Sequence, residues 1–240
     1  MDRFLKKTLG ILKAMKGGAH RALPFWLCLA LLGLGAGLRA DDAGDTTLDA
    51  LPVLTPYNGS LDGGARLLYT NPSVLDSLAA SAGFPKTGGL WLLWGGGATL
   101  TPGNLCIQIS AWKGGLNASS AGAATGWNLG LAELTMEQAY LLDNCIFMAG
   151  ISLESGELGG SFVRGNSTAS VESAIFGYGL QGGMRWPAQT PLAFFLGIGW
   201  EMLTGPGTWH GDAATGTANL GTTLFELGGP TVTLQLDLSL

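Results

Sequence analysis

AIFGYGLQGGMRW, residues 174–186, alternates without a break. Ala174, Phe176, Tyr178, Leu180, Gly182, Met184 and Trp186 fall on one side of an extended chain, and Ile175, Gly177, Gly179, Gln181, Gly183 and Arg185 on the other. The first set is mostly large and apolar, the second mostly small or polar. Successive side chains of a strand point to opposite faces, so this is a strand with one apolar face. Its 13 residues exceed the roughly 5–6 of an ordinary globular strand and suffice for the roughly 9–11 that a tilted strand needs to cross a bilayer. The next run repeats the pattern, with Leu192, Phe194, Leu196, Ile198, Trp200 and Met202 against Ala193, Phe195, Gly197, Gly199 and Glu201. Keeping the two apolar faces together requires an odd loop, Pro187 to Pro191, which makes Tyr178 and Trp200 cross-strand partners.

Outward from this hairpin, the last run sets Val232, Leu234, Leu236, Leu238 and Leu240 against Thr231, Thr233, Gln235, Asp237 and Ser239. Further β runs occupy residues 88–98, 104–113, 127–142, 145–156 and 217–227, for about eight strands in all. Glycine is costly in strand interiors, yet the chain has 40, several of them on the small face of these runs. A narrow barrel gives them a purpose, because about eight strands enclose a lumen just wide enough for side chains to fill. Charged residues are only 12% of the chain, and no apolar stretch after residue 40 is long enough for a membrane helix. Asn71 as N-cap, Pro72 at the first helical position and Gly83 as stop bracket a short helix near residues 72–82, with Val74, Leu75, Leu78 and Ala79 on one face. It is expected to pack against or within the sheet, in space that Gly179 and Gly197 leave open.

The N-terminus has six basic residues before an uncharged apolar run, Ala22 to Leu38, closed by Arg39, Ala40, Asp41 and Asp42. This order reads as an export signal peptide over residues 1–40. Seven of the twelve Lys and Arg, and one of the seventeen Asp and Glu, lie within it, leaving five basic against sixteen acidic residues. Such a balance argues against nucleic acid as a partner. Residues 41–87, with Pro52, Pro56 and the Asp62-Gly63-Gly64 break, read as an N-terminal arm carrying the helix, and 88–240 as the barrel.

With the leader, the candidate strands over 88–240 and the alternating Val232–Leu240 segment, the chain resembles small bacterial outer-membrane β-barrel proteins. It departs from their pattern at Leu240, where an aromatic residue is common. The resemblance implies an all-β, antiparallel up-and-down membrane barrel in the cell outer membrane, with outer-membrane lipid as partner, and envelope proteins or further copies of the chain as candidate partners. It implies transport, adhesion, envelope anchoring or lipid enzymology, and a fold does not choose among them.

Candidate chemistry is sparse. Glu133, Glu137, Gln181, Arg185 and Glu201 have the parity of the small face and would point into a lumen, with Arg185 neutralised by a carboxylate of a neighbouring strand. Export permits a disulfide between Cys106 and Cys145. After the leader, His210 is the single histidine, no G-x-S-x-G turn occurs, and no cofactor or metal is implied. The expected function is therefore non-enzymatic: a structural or interaction role with a filled, glycine-lined lumen. A narrow porin-like channel and a soluble secreted β-sandwich binding protein are the alternatives.

Overall fold

The computed structural model describes residues 59–188, 190–205, 210–211 and 225–240. The expected leader over residues 1–40 and the first part of the arm lie outside the described residues. Eight long strands run antiparallel in sequence order: β1 (Gly59–Tyr69), β2 (Leu90–Leu100), β3 (Leu105–Ser120), β4 (Ala123–Leu142), β5 (Cys145–Arg164), β6 (Ser167–Trp186), β7 (Leu192–Gly205) and β8 (Phe225–Ser239). Each pairs with the next, and β8 pairs with β1, which closes the sheet into an up-and-down barrel. Tracing hydrogen-bonded partners once round, Trp186 leads through Phe194, Leu236, Gly63, Gly96, Ala111, Ala132 and Ser155 back to β6 at Phe176. The circuit climbs ten residues, a stagger that tilts the strands by roughly 40°.

Strand boundaries differ from the sequence reading at both ends of the barrel and in β3 to β6, which run on to Ser120, Ala123, Arg164 and Ser167 at their upper ends. Residues 59–69 are not part of an arm but the first barrel strand. Their Asp62-Gly63-Gly64 looks like a break, yet the alternation runs through it, with Asp62, Gly64, Arg66 and Leu68 inward and Leu61, Leu67 and Tyr69 outward. At the other end, 225–239 is one strand rather than parts of two, and Gly228, Gly229 and Pro230 stay in register with Met202, Glu201 and Trp200. Residues 217–224 of the 217–227 run lie outside the described residues.

The hairpin from Ala174 to Met202 keeps its expected facing but slides by two residues. Tyr178 pairs with Met202, and Trp200 with Leu180, because the turn holds Trp186 opposite Phe194. A two-residue shift preserves which side each residue faces.

On β3 to β6 the alternation reverses polarity partway up the strand. Low on β6, Phe176, Tyr178 and Trp186 are exposed outward while Gly177, Gly179 and Gln181 face in. Higher up, Ala169, Val171 and Ile175 are buried inside, and Thr168, Ser170 and Glu172 face out. The same reversal places Trp127, Leu129 and Leu131 inward on β4, Leu158 and Phe162 on β5, and Trp112 and Leu116 on β3.

The upper lumen is therefore an apolar core, and helix α1 (Ser73–Ser81), from the β1–β2 connection, completes it with Leu75 and Ala79. The Asn71 side chain accepts the Ser73 amide at 3.0 Å at the start of α1. At its end Gly83, with φ +75°, allows Gly83 N to donate to Ala80 O and Phe84 N to Ala79 O, a Schellman closure. Phe84 lands 5.2 Å from the Phe162 ring, and Arg164 lies 4.6 Å above Phe84 and donates to the carbonyls of Ala82 and Gly83.

The helix does not occupy the space beside Gly179 and Gly197. A Cβ on Gly183 or Gly197 would come within 2.3 or 2.7 Å of the Phe195 ring, and one on Gly179 within 2.4 Å of Ser152 Oγ. The glycines there make room for barrel side chains. Gly183→Val should lower unfolding free energy by about 1–3 kcal/mol through overpacking, measured by urea unfolding in vesicles, with Phe195→Leu restoring part of it. An unchanged midpoint for the single variant would contradict this packing.

Candidate functional site: the polar layers of the lumen

Below the apolar core the lumen is crossed by hydrogen-bonded polar layers. The largest centres on Arg66 of β1, whose Nη2 donates to Glu133 Oε2 at 2.7 Å and whose Nη1 donates to Glu201 Oε1 at 2.8 Å. Its Nε reaches Thr233 Oγ1 at 3.2 Å, and its guanidinium lies 4.3 Å from the Trp112 ring centroid. Glu133 Oε2 also accepts from Ser110 Oγ and Trp112 Nε1. One cation thus ties together β1, β4, β7 and β8, with β3 contributing hydrogen bonds, and every member is almost fully buried. Glu154, on β5, is buried nearby and accepts from Ser152 Oγ at 3.0 Å.

Asp62 accepts from Gln108 and from Gln235, each at 2.8 Å, joining β1, β3 and β8. Gln181 donates to Glu137 at 3.1 Å. Arg185 Nε lies 3.3 Å from Asp237 Oδ2, and Arg185 also donates to Ser239 Oγ. At this end a recess is lined by Arg185, Asp237, Ser239, Glu137 and Gln108 on its polar side and by Cys106, Ala139, Ile146, Met148 and Phe195 on its apolar side. These residues belong to the barrel end that carries the short turns 101–104, 143–144 and 187–191.

All five side chains expected to face the lumen have inward positions: Glu133, Glu137, Arg185 and Glu201 are buried and Gln181 is half-buried. They form no single site. Glu133 and Glu201 meet through Arg66, Glu137 meets Gln181, and Arg185 stands apart. Arg185 is neutralised from β8, not from an adjacent strand, since its partner on β7 is Phe195 and offers no carboxylate. Arg66, the cation that organises the largest layer, escapes the sequence reading because that reading places its strand in an arm. The inward parity it shares with Asp62, Gly64 and Leu68 is the signal that identifies it.

Cys106 and Cys145 are both free. Cys106 points inward beside Thr101 Oγ1 at 3.8 Å, whereas Cys145 has the outward parity of β5, so the wall separates the thiols and the disulfide that export would permit does not form. His210 and Gly211 pair with Glu172 and Val171 on β6, while Trp209 and Asp212 lie outside the described residues.

Outside, the barrel is belted by exposed apolar side chains on all eight strands, among them Leu67, Trp94, Ile109, Leu134, Leu153, Tyr178, Ile198 and Leu236. Apolar exposure on this scale is the face a protein turns to lipid, and a closed sheet leaves no unpaired edge within it. Among the described residues no helix is long and apolar enough to cross a membrane.

No family model matches the chain, and no curated protein matches it. Among solved structures it is similar to Neisserial surface protein A, at 10% identity and a TM-score of 0.52 over 76% of this chain and 97% of that one. A major outer membrane protein from Thermus thermophilus aligns at 11% identity and a TM-score of 0.48, over 76% of this chain and 99% of the other. The first likeness is one of fold. Even-numbered antiparallel barrels with an apolar outer band are the outer-membrane type, and their longer connections face the cell exterior. Here both long connections, 70–89 and 206–224, leave the same end. The chain is an eight-stranded antiparallel up-and-down β-barrel of the outer-membrane type.

Proposed function

We propose that the protein is a structural or interaction component of the outer membrane, with a filled, glycine-lined lumen and no open pore. The observation that carries this reading is the stacking of the Arg66–Glu133–Glu201 layer beneath the apolar core closed by α1. An ion crossing the barrel would have to part the ion pairs and then traverse side chains such as Trp91, Trp127, Leu129 and Leu203, all 0% exposed. Taking a charge through so apolar a region carries a penalty of several kcal/mol even after relaxation. Interior glycines such as Gly177, Gly183 and Gly197 support the reading, because Leu203 and the Phe195 ring of the neighbouring inward face fill the space that a Cβ at these positions would need. On this reading the partners are outer-membrane lipid around the belt and, at the exterior end, envelope proteins or further copies of the chain.

Planar-bilayer recording of the purified barrel tests it. No steady conductance above that of the bare membrane is expected, and a steady ion-selective conductance would favour a narrow porin-like channel.

A further inference from the structure

The barrel rim is uneven. The pairing of β2 with β3 ends at Leu92 opposite Gly115, and that of β7 with β6 ends at Thr204 opposite Phe176. The strands β3 to β6 continue upward as a wall, with β4 and β5 paired as far as Ala123 and Arg164 and with His210 and Gly211 paired along the β6 edge. From Glu157, the first outward charge on β5, to Arg164 is seven residues. At about 3.3 Å per residue and a tilt of roughly 40°, the wall rises about 18 Å above that level. A phospholipid headgroup layer adds only about 5–8 Å to each side of the hydrocarbon. Most of the wall therefore stands beyond anything a phospholipid supplies.

The two faces of the wall differ. Its inner face is apolar and is covered by α1, so it serves the fold. Its outer face, directly continuous with the lipid-facing belt of the same strands, carries Asn117, Ser119, Asn128, Ser161, Thr168 and Ser170, with glycines between them. Charge is sparse there, with Glu157 and Glu172 the carboxylates on β5 and β6. The surface is extended and carries small hydroxyls and amides, which offer both donors and acceptors. Such a face matches a layer of sugar hydroxyls.

We propose that the outer face of the raised β3–β6 wall is a contact surface for the saccharide headgroup of an outer-leaflet glycolipid. Among the described residues the raised strands lie on one side of the barrel, because β1, β2, β7 and β8 end near the top of the apolar belt. The inference rests on the membrane orientation above and is independent of whether the lumen conducts.

The test uses the full chain with Cys28, Cys106 and Cys145 replaced by alanine and one new cysteine at Ser161→Cys, Ser170→Cys or Pro102→Cys, the last in the β2–β3 turn at the opposite end. Each variant is folded into nanodiscs of phosphatidylethanolamine and phosphatidylglycerol, with or without rough lipopolysaccharide, and labelled with a bulky maleimide. Labelling at 161 and 170 is expected to slow at least fivefold when lipopolysaccharide is present, with 102 unchanged. Equal rates at 161 and 170 in the two kinds of disc, or slowing at all three positions alike, would overturn the proposal. For the unsubstituted chain, lipopolysaccharide is expected to raise the heat-unfolding midpoint in the same discs, and the Ser161→Asp, Ser170→Asp double variant to lose most of that rise. Protection that appears only on adding an envelope protein extract, and not with lipopolysaccharide, would assign the face to a protein partner and likewise overturn it.

Discussion

Replacing Arg66 by alanine is expected to lower the unfolding free energy by about 3–5 kcal/mol, because removing one member of a buried ion pair strands the charges it served. Here it serves two, Glu133 at 2.7 Å and Glu201 at 2.8 Å, and Glu154 is buried close by. A lysine at the same place should recover only part of the loss, since a single ammonium does not present the fork that reaches Glu133, Glu201 and Thr233 together. Converting both glutamates to glutamine in the Arg66→Ala background should recover stability, because the stranded charges are gone. Reversible urea unfolding in phospholipid vesicles reads all these variants. A loss below about 1 kcal/mol for Arg66→Ala would mean that the layer does not hold the strands together.

A second large effect is expected in the apolar upper lumen. Trp127→Ala should cost about 3–5 kcal/mol, the usual range for emptying a buried aromatic site. Trp127 is fully buried, meets Phe162 edge-on at 5.4 Å and fills the space above Gly160, where a Cβ would come within 2.5 Å of its ring. The matched control is Trp200→Ala, whose side chain is 54% exposed on the lipid face and leaves no interior cavity. The two variants should separate clearly in the temperature at which the compact electrophoretic form is lost. Equal midpoints would contradict the placement of Trp127 inside.

The alternation of residues 174–202 and 231–240 carries most of the fold, and those stretches are legible because one face is lipid-facing and the other small or polar along their length. β1 is not, since Asp62-Gly63-Gly64 imitates a turn and the outward positions Gly63 and Ala65 interrupt its apolar face. Missing β1 also hides Arg66, so the carboxylates of β4 and β7 are visible without the cation that unites them. The upper thirds of β3 to β6 read short for a different reason. Above about Ile175, Leu131 and Leu158 the apolar residues change sides, and a search for one continuous apolar face stops there. The reversal is physical: below it the outward face meets hydrocarbon and the inward face a polar lumen, while above it the outward face is hydrated and the inward face packs on α1. The partners of Arg185 and Asp62 come from strands that are not all adjacent, and alternation within a strand holds no information about such contacts.

The tryptophans offer the most direct test of a barrel with lipid outside and a packed interior. Trp94, Trp186 and Trp200 are 62%, 49% and 54% exposed on the outer wall, whereas Trp91, Trp112 and Trp127 are 0%, 2% and 0% exposed inside. Single-tryptophan variants, folded into vesicles of phospholipid brominated along the acyl chain, report which indoles touch lipid. Strong quenching at 94, 186 and 200 with little at 91, 112 and 127 is the expected result; quenching of the inner three, or of none of the six, would contradict it.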